Sequence, residues 1–172
     1  MRSSLRVVAT LAVLLGVALL PSAARAAPAS SIFGVSGVEI AASSTQGTFT
    51  GKASGSAGDT GAWKAVVVHE PLSSQPAAIT GGSFEMGTVG PGFTADYVKG
   101  SFAGGSVAVV DPGAGCKNQT FSVKGTLANV STSTTTGGTG AADIVLTHYR
   151  RSVFGYCVTY SATVTGLVQF SY

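Results

Sequence analysis

The C-terminal stretch from Cys157 to Tyr172 reads CVTYSATVTGLVQFSY. Its even-numbered positions are mostly apolar or aromatic, as at Val164 and Phe170, whereas the odd-numbered positions are mostly Thr, Ser or Gln, with Leu167 as the exception. A period of two places these sets on opposite faces of a β-strand. The stretch therefore predicts a strand with one buried face and one face in water.

The same alternation recurs along the chain, while Leu is scarce and Ser and Thr are frequent, so little indicates a helix. Seven further strands are predicted around residues 38–42, 48–54, 62–69, 78–87, 97–110, 119–129 and 142–149. About eight strands without crossover helices favour antiparallel pairing. We predict a single all-β domain, either a small closed barrel or a sandwich of two sheets; the strand count leaves both open.

A short internal repeat supports this fold, because VKGSFA at residues 98–103 recurs as VKGTLA at residues 123–128. Each copy places its glycine on the inward face, where a missing side chain permits the sharp bends of a small barrel. The pair Gly104 and Gly105 predicts a bulge that shifts the inward apolar set onto Val107 and Val109. The Ser/Thr/Gly run at residues 131–140 is predicted to be a mobile loop.

The N-terminus has the features of a secretory signal peptide. Arg2 and Arg6 precede an apolar run at residues 7–20, which is shorter than the 18 or so residues that a membrane helix needs. Small residues follow, and we expect cleavage after Ala26, which leaves residues 27–172 as the mature domain. No later stretch could cross a bilayer as a helix, so the product is predicted to be secreted.

Charge excludes one functional class. The chain has ten Lys and Arg against seven Asp and Glu, but three of the basic residues, Arg2, Arg6 and Arg25, lie in the signal peptide. The mature domain therefore has seven of each and is formally neutral. Nucleic-acid binding needs a surplus of cations, so no nucleic-acid partner is predicted.

The only cysteines are Cys116 and Cys157. An even pair in an exported chain most simply forms a disulfide. Because the two residues lie far apart and form no C-x-x-C motif, we predict a structural bond and not a redox centre.

The densest cluster of chemically active side chains surrounds the second cysteine, and the predicted disulfide brings one more cation to it. The candidate ligand-binding residues are Lys117, His148, Tyr149, Arg150, Arg151 and Tyr156. Cations, aromatic rings and an imidazole at one end of the fold could form a rim for an anionic or aromatic ligand. The alternative is a hairpin whose Arg pair is solvated and whose Tyr packs on the disulfide.

Catalytic motifs are sparse. The sequence has no G-x-S-x-G motif, and only His69 and His148 could act as an imidazole base. Because these histidines are 79 residues apart and both cysteines are expected to be paired, we predict no His/Cys zinc site. No cofactor is predicted, and no residue is assigned as catalytic.

The segments LTHYR at residues 146–150 and FGYCVTY at residues 154–160, in an Ala/Gly/Thr-rich chain, resemble small exported all-β proteins of actinobacterial type that have no assigned activity. The resemblance implies secretion and a β fold. It transfers no catalytic residue.

Three functional classes remain. The first is a secreted module that binds a small molecule or a protein surface. The second is a small secreted hydrolase or isomerase with a site at the barrel mouth near His148. The third is an eight-stranded outer-membrane barrel, because a period of two does not distinguish an apolar interior from an apolar outer face. The chain also ends on alternating aromatic residues, at Phe170 and Tyr172.

Overall fold

Eight antiparallel strands close into a barrel in the computed structural model, which describes residues 30–55, 58–89 and 97–172. The strands are β1 (Ser30–Ala42), β2 (Gln46–Gly55), β3 (Thr60–His69), β4 (Ala77–Val89), β5 (Tyr97–Asp111), β6 (Gln119–Thr132), β7 (Gly138–Val153) and β8 (Tyr156–Ser171). Each strand pairs with its neighbours in sequence, and β1 closes the barrel against β8. The predicted all-β fold is confirmed, as a barrel and not a sandwich. The predicted signal peptide, residues 1–26, lies outside the described residues.

The inward positions of all eight strands form one aromatic and aliphatic core. The Phe84 ring lies 5.6 Å from that of Phe170 and 6.0 Å from that of Trp63. The indole Nε1 of Trp63 donates to the carbonyl oxygens of Ser36 at 3.1 Å and Lys52 at 3.0 Å. The buried Trp side chain is thus satisfied, and it ties β3 to β1 and β2.

The outward positions carry polar side chains and ion pairs. Lys64 lies 3.1 Å from Glu85, and Lys124 lies 3.6 Å from Asp143, with all four side chains more than half exposed. A transmembrane barrel has the opposite arrangement, an apolar outward band and a polar lumen. The barrel has its apolar side inward, which argues against the outer-membrane alternative.

Helical structure in the described ranges consists of one 3-10 turn, at Ala114–Cys116. No helix in those ranges is long and apolar enough to cross a membrane.

The glycines of the internal repeat, Gly100 and Gly125, lie where neighbouring residues leave little space for a side chain. A Cβ added at Gly125 would lie 2.6 Å from a ring carbon of Phe102. The pairing of β5 with β6 shifts between Phe102 and Gly104, and both Phe102 and Val107 are buried although one is even-numbered and the other odd. The predicted bulge is confirmed, and it keeps the apolar side of β5 inward along the whole strand.

A substitution at Gly51 would test how closely β1 and β2 approach each other. It pairs with Gly37, and an added Cβ would overlap the carbonyl oxygen of Ser36 in the neighbouring strand. We expect Gly51→Ala to lower the free energy of unfolding by about 2 kcal/mol, because backbone must move to relieve the overlap. Gly34→Ala is the matched control, since the nearest atom to its Cβ would be Ser54 Oγ, at 3.6 Å, an ordinary van der Waals distance. Equal urea midpoints for the two variants would contradict the close approach of β1 and β2.

The Thr-rich run is shorter as a loop than predicted and is locally bonded. β6 continues to Thr132 and β7 begins at Gly138, so only residues 133–137 form the connection. The buried Thr132 hydroxyl accepts from the backbone N–H groups of Thr134 at 3.2 Å and Thr135 at 3.0 Å. The loop predicted over residues 131–140 is thus confined to residues 133–137, where side-chain hydroxyls supply hydrogen bonds of the turn.

Candidate functional site at the disulfide end of the barrel

The chemically active side chains collect at one end of the barrel. Because every strand reverses direction, the connections at residues 43–45, 70–76, 112–118 and 154–155 meet at the same end. This end, which we call the disulfide end, holds both histidines, both cysteines and all six residues of the predicted ligand-binding set.

A hairpin projects beyond the barrel at the disulfide end. β7 and β8 have 16 residues each, but β6 pairs with β7 only as far as His148, and β1 pairs with β8 only as far as Thr163. The part of β7 and β8 between these two residues, 149–162, is the projecting hairpin. Tyr149 pairs with Ser161 and Arg150 with Thr159, so Tyr160 is the extra residue of a bulge.

The inner side of the projecting hairpin is fastened to the connection between β5 and β6. Cys116 and Cys157 form a disulfide with a Cα–Cα distance of 5.4 Å, as predicted. Nearby, the backbone N–H of Arg150 donates to Asn118 Oδ1 at 3.4 Å, and its guanidinium Nη1 donates to the Gly113 carbonyl at 3.4 Å. These contacts fix the position of the hairpin and satisfy the Arg150 N–H of β7.

His148 points into the barrel mouth and not toward the outer side of the hairpin. Its Nε2 lies 2.7 Å from Glu39 Oε2, and the two side chains are 18% and 8% exposed. The Phe121 ring meets the imidazole at 5.0 Å in an edge arrangement. A Cβ at Gly47 would lie 2.8 Å from the other Glu39 oxygen, so this glycine makes room for the carboxylate. His69, buried nearby, contacts the Glu70 carbonyl through Nδ1 at 2.6 Å.

The interior has little free space. An apolar space of about 20 Å³ lies between core side chains, and a second of about 50 Å³ lies at the mouth beside Glu39, His148 and Leu72. Small-molecule sites usually enclose about 300–1,000 Å³. The two interior spaces could hold water molecules only. Among the described residues, no three His, Cys, Asp or Glu side chains are grouped to hold a metal ion.

The outer side of the projecting hairpin is aromatic. The Tyr149 and Tyr160 rings are 6.5 Å apart, and the Arg151 guanidinium lies 5.4 Å from the centre of the Tyr160 ring. Tyr156 is 77% exposed and Tyr160 57%. The hairpin therefore presents several rings and one stacked cation to solvent.

The tip of the hairpin carries a strained phenylalanine. Phe154 has φ 49° and Gly155 has φ 83°, the two positive values of a type I′ turn. This turn prefers Asn followed by Gly, because a bulky residue with positive φ is strained by about 1–2 kcal/mol. The Phe154 side chain is 98% exposed, so it gains no packing in return.

Exposed apolar side chains are concentrated on this side of the molecule. The exposed large hydrophobic residues in the described ranges are Ile32, Val38, Ile40, Val110, Val145, Phe154, Tyr156, Val158, Tyr160 and Leu167. All except Val110 lie on β1, β7, β8 or the turn between β7 and β8. β8 has no charged residue, and the one in β1, Glu39, points inward.

The predicted ligand-binding residues share one end of the barrel but not one pocket. His148 lies inside the mouth, Arg150 binds the β5–β6 connection, and Lys117 is exposed beside Cys116. Tyr156 and Arg151 belong to the outer side of the hairpin.

The predicted ligand-binding set did not include four residues that the structure places beside its members. Glu39 contacts His148 in the barrel mouth, and Phe154, Val158 and Tyr160 lie on the projecting hairpin with Arg151 and Tyr156.

Comparisons with protein-family models, curated proteins and solved structures found no match to this chain.

Proposed function

We propose that this protein is an exported interaction module that binds a protein partner through the outer side of the projecting hairpin. Phe154 is the observation that carries the proposal. Its backbone is strained and its ring contacts water, so it costs stability in the isolated chain. Such a residue is explained when a partner covers the ring.

The composition of the surface fits a protein interface. Interface cores are poor in charge and rich in Tyr, Phe and Arg, and the residues with the largest binding energies are mostly Trp, Tyr and Arg. Tyr156, Tyr160 and Arg151 supply these types on a surface with few charges. By contrast, the 20 and 50 Å³ interior spaces argue against carriage of a small molecule inside the barrel.

The hairpin is also held rigidly. The Cys116–Cys157 disulfide and the Arg150 hydrogen bonds fix it to the β5–β6 connection before any partner binds. A pre-ordered surface loses less conformational entropy on binding than a loop does. The disulfide also suits an oxidising compartment, which agrees with the predicted export.

Phe154→Asn separates binding from folding. Asn followed by Gly is the preferred type I′ pair, so we expect the variant to be more stable by about 1 kcal/mol. Loss of the ring should reduce retention of partner protein at least tenfold. The chain would be immobilised through its N-terminus, since β1 begins at the opposite end of the barrel, and exposed to the secreted and cell-surface proteins of its own source.

Val110→Asn is the control, because Val110 is the one exposed large hydrophobic residue in the described ranges that lies outside β1, β7, β8 and the turn between β7 and β8. It should retain partner protein as the parent does. A Phe154→Asn chain that binds as well as the parent would overturn the proposal. A chain that is less stable would show that the ring packs within the molecule.

A second candidate is an enzyme with its site at the barrel mouth. The observation in its favour is the Glu39–His148 pair, since a carboxylate that holds an imidazole is a common element of acid–base catalysis. The adjoining space of about 50 Å³ admits little more than water. A substrate would therefore have to displace the connection that carries Leu72.

A further inference from the structure

We infer that the partner of the projecting hairpin is a second copy of this chain, joined antiparallel along the free edge of β8. This inference rests on the proposed function, because it identifies what covers the same surface. Four properties of the hairpin support it: an open edge on β8, a partly occupied edge on β7, a nearly symmetric β8 sequence and a pairing segment without charged residues.

The outer edge of β8 is open at the disulfide end. β1 pairs with β8 from Ser171 to Thr163, whereas Tyr156–Ala162 pairs with β7 alone in the described part of the chain. Every second residue of such a segment directs its N–H and C=O away from the one strand it pairs with. An open edge of this kind can accept another strand.

The opposite edge of the hairpin is partly occupied. Along β7, Asn118 accepts from the Arg150 N–H, and the disulfide holds the β5–β6 connection beside it. Within the hairpin, the β8 edge is therefore the freer one. Pairing of two identical edges about a two-fold axis uses both and ends at a dimer, not a filament.

The sequence of the free edge suits pairing with itself. Residues 156–160 read Tyr-Cys-Val-Thr-Tyr, so antiparallel pairing centred on Val158 places it against Val158 of the second copy. The same register sets Tyr156 against Tyr160 of the second copy, on the outer side. Aromatic and β-branched cross-strand pairs are the ones that stabilise antiparallel sheets.

Charge and area are both compatible with a dimer. The chain has no charged side chain from Ser152 to Tyr172, so no like charges are directly opposed across the two paired strands. Arg151, on β7, lies over the Tyr160 ring of its own copy. Phe154, Tyr156 and Tyr160 are 98%, 77% and 57% exposed. At about 150–250 Å² for each ring, two copies could cover roughly 900 Å² of aromatic surface. With the adjoining aliphatic side chains, this approaches the 1,200 Å² or so at which stable interfaces begin.

The register predicts one site of cross-linking. In the mature chain, Val158→Cys should form a disulfide-linked dimer under mild oxidation, because directly opposed Cα atoms lie about 4.5–5.5 Å apart, within disulfide range. Tyr156→Cys and Tyr160→Cys should link when mixed. Thr165→Cys is the control, since Thr165 is exposed on β8 but pairs with β1 on one side and β7 on the other. Peptide mapping would check that Cys116 and Cys157 remain joined.

Sedimentation of the unmodified chain gives an independent test. We expect a monomer–dimer equilibrium, and Val158→Lys should raise its dissociation constant at least tenfold, because two ammonium groups would face each other. A monomer at every concentration, or linking through Thr165→Cys as readily as through Val158→Cys, would overturn the dimer. If Phe154→Asn still loses partner protein in that case, the proposed function stands and its partner is a different protein. If it does not, both fail.

Discussion

Replacing Cys116 and Cys157 together with serine is expected to lower the free energy of unfolding by about 4 kcal/mol. The disulfide joins residues 41 apart, and a cross-link over such a loop restricts the unfolded chain by that amount in the chain-entropy model. The midpoint of thermal unfolding should fall by roughly 10–15 °C, measured by circular dichroism at several scan rates. The effect is large because the barrel otherwise relies on one core of modest size.

The same variant has a local consequence at the disulfide end. The bond holds the projecting hairpin against the β5–β6 connection, so amide exchange should rise most in residues 149–162. The parent chain treated with a thiol reductant is the control, and it should behave as the double variant does. An unchanged thermal midpoint in both would show that the barrel does not depend on the bond.

The sequence predicted the strands well because most of them alternate strictly. β1 is the exception, since it begins at Ser30 and not near Val38 as predicted. Phe33 and Val35 are buried in this part of β1, but the preceding residue, Ile32, is half exposed. Because an apolar side chain stands at an outward position, the alternation of apolar and polar residues cannot be recognised there. Barrel and sandwich could not be separated because closure depends on the pairing of β1 with β8, which no local pattern encodes.

The site was predicted less well because neighbours in a strand point to opposite sides. His148 and Tyr149 are adjacent in sequence, yet one lies in the barrel mouth and the other on the outer surface. Glu39 is 109 residues from His148 and meets it only once the barrel has closed. The turn at Phe154 could have been predicted from the sequence, because Phe-Gly stands between two alternating segments and has the length of a two-residue hairpin turn.

The Glu39–His148 pair gives the second large effect, and it separates a structural role from a catalytic one. Glu39→Ala should lower the free energy of unfolding by about 3 kcal/mol, because it leaves a mostly buried imidazole without its hydrogen-bond partner. Glu85→Ala is the matched control: it also removes a carboxylate that contacts a nitrogen side chain, but the Lys64–Glu85 pair is exposed and should contribute less than about 1 kcal/mol. Urea denaturation of both variants would measure the difference.

Glu39→Gln and His148→Gln then distinguish the two functional candidates. Both glutamines keep a hydrogen-bonding group in the mouth, so each should cost only about 1 kcal/mol in stability. If the pair is structural, neither variant should alter partner binding, because Phe154 and the outer tyrosines lie on the other side of the hairpin. If the mouth is an active site, both variants should abolish turnover of ester, glycoside or isomerase substrates while leaving the fold intact. A stable His148→Gln variant that loses such a turnover would favour the enzyme hypothesis. A His148→Gln variant that binds the partner protein as the parent chain does would favour the interaction module.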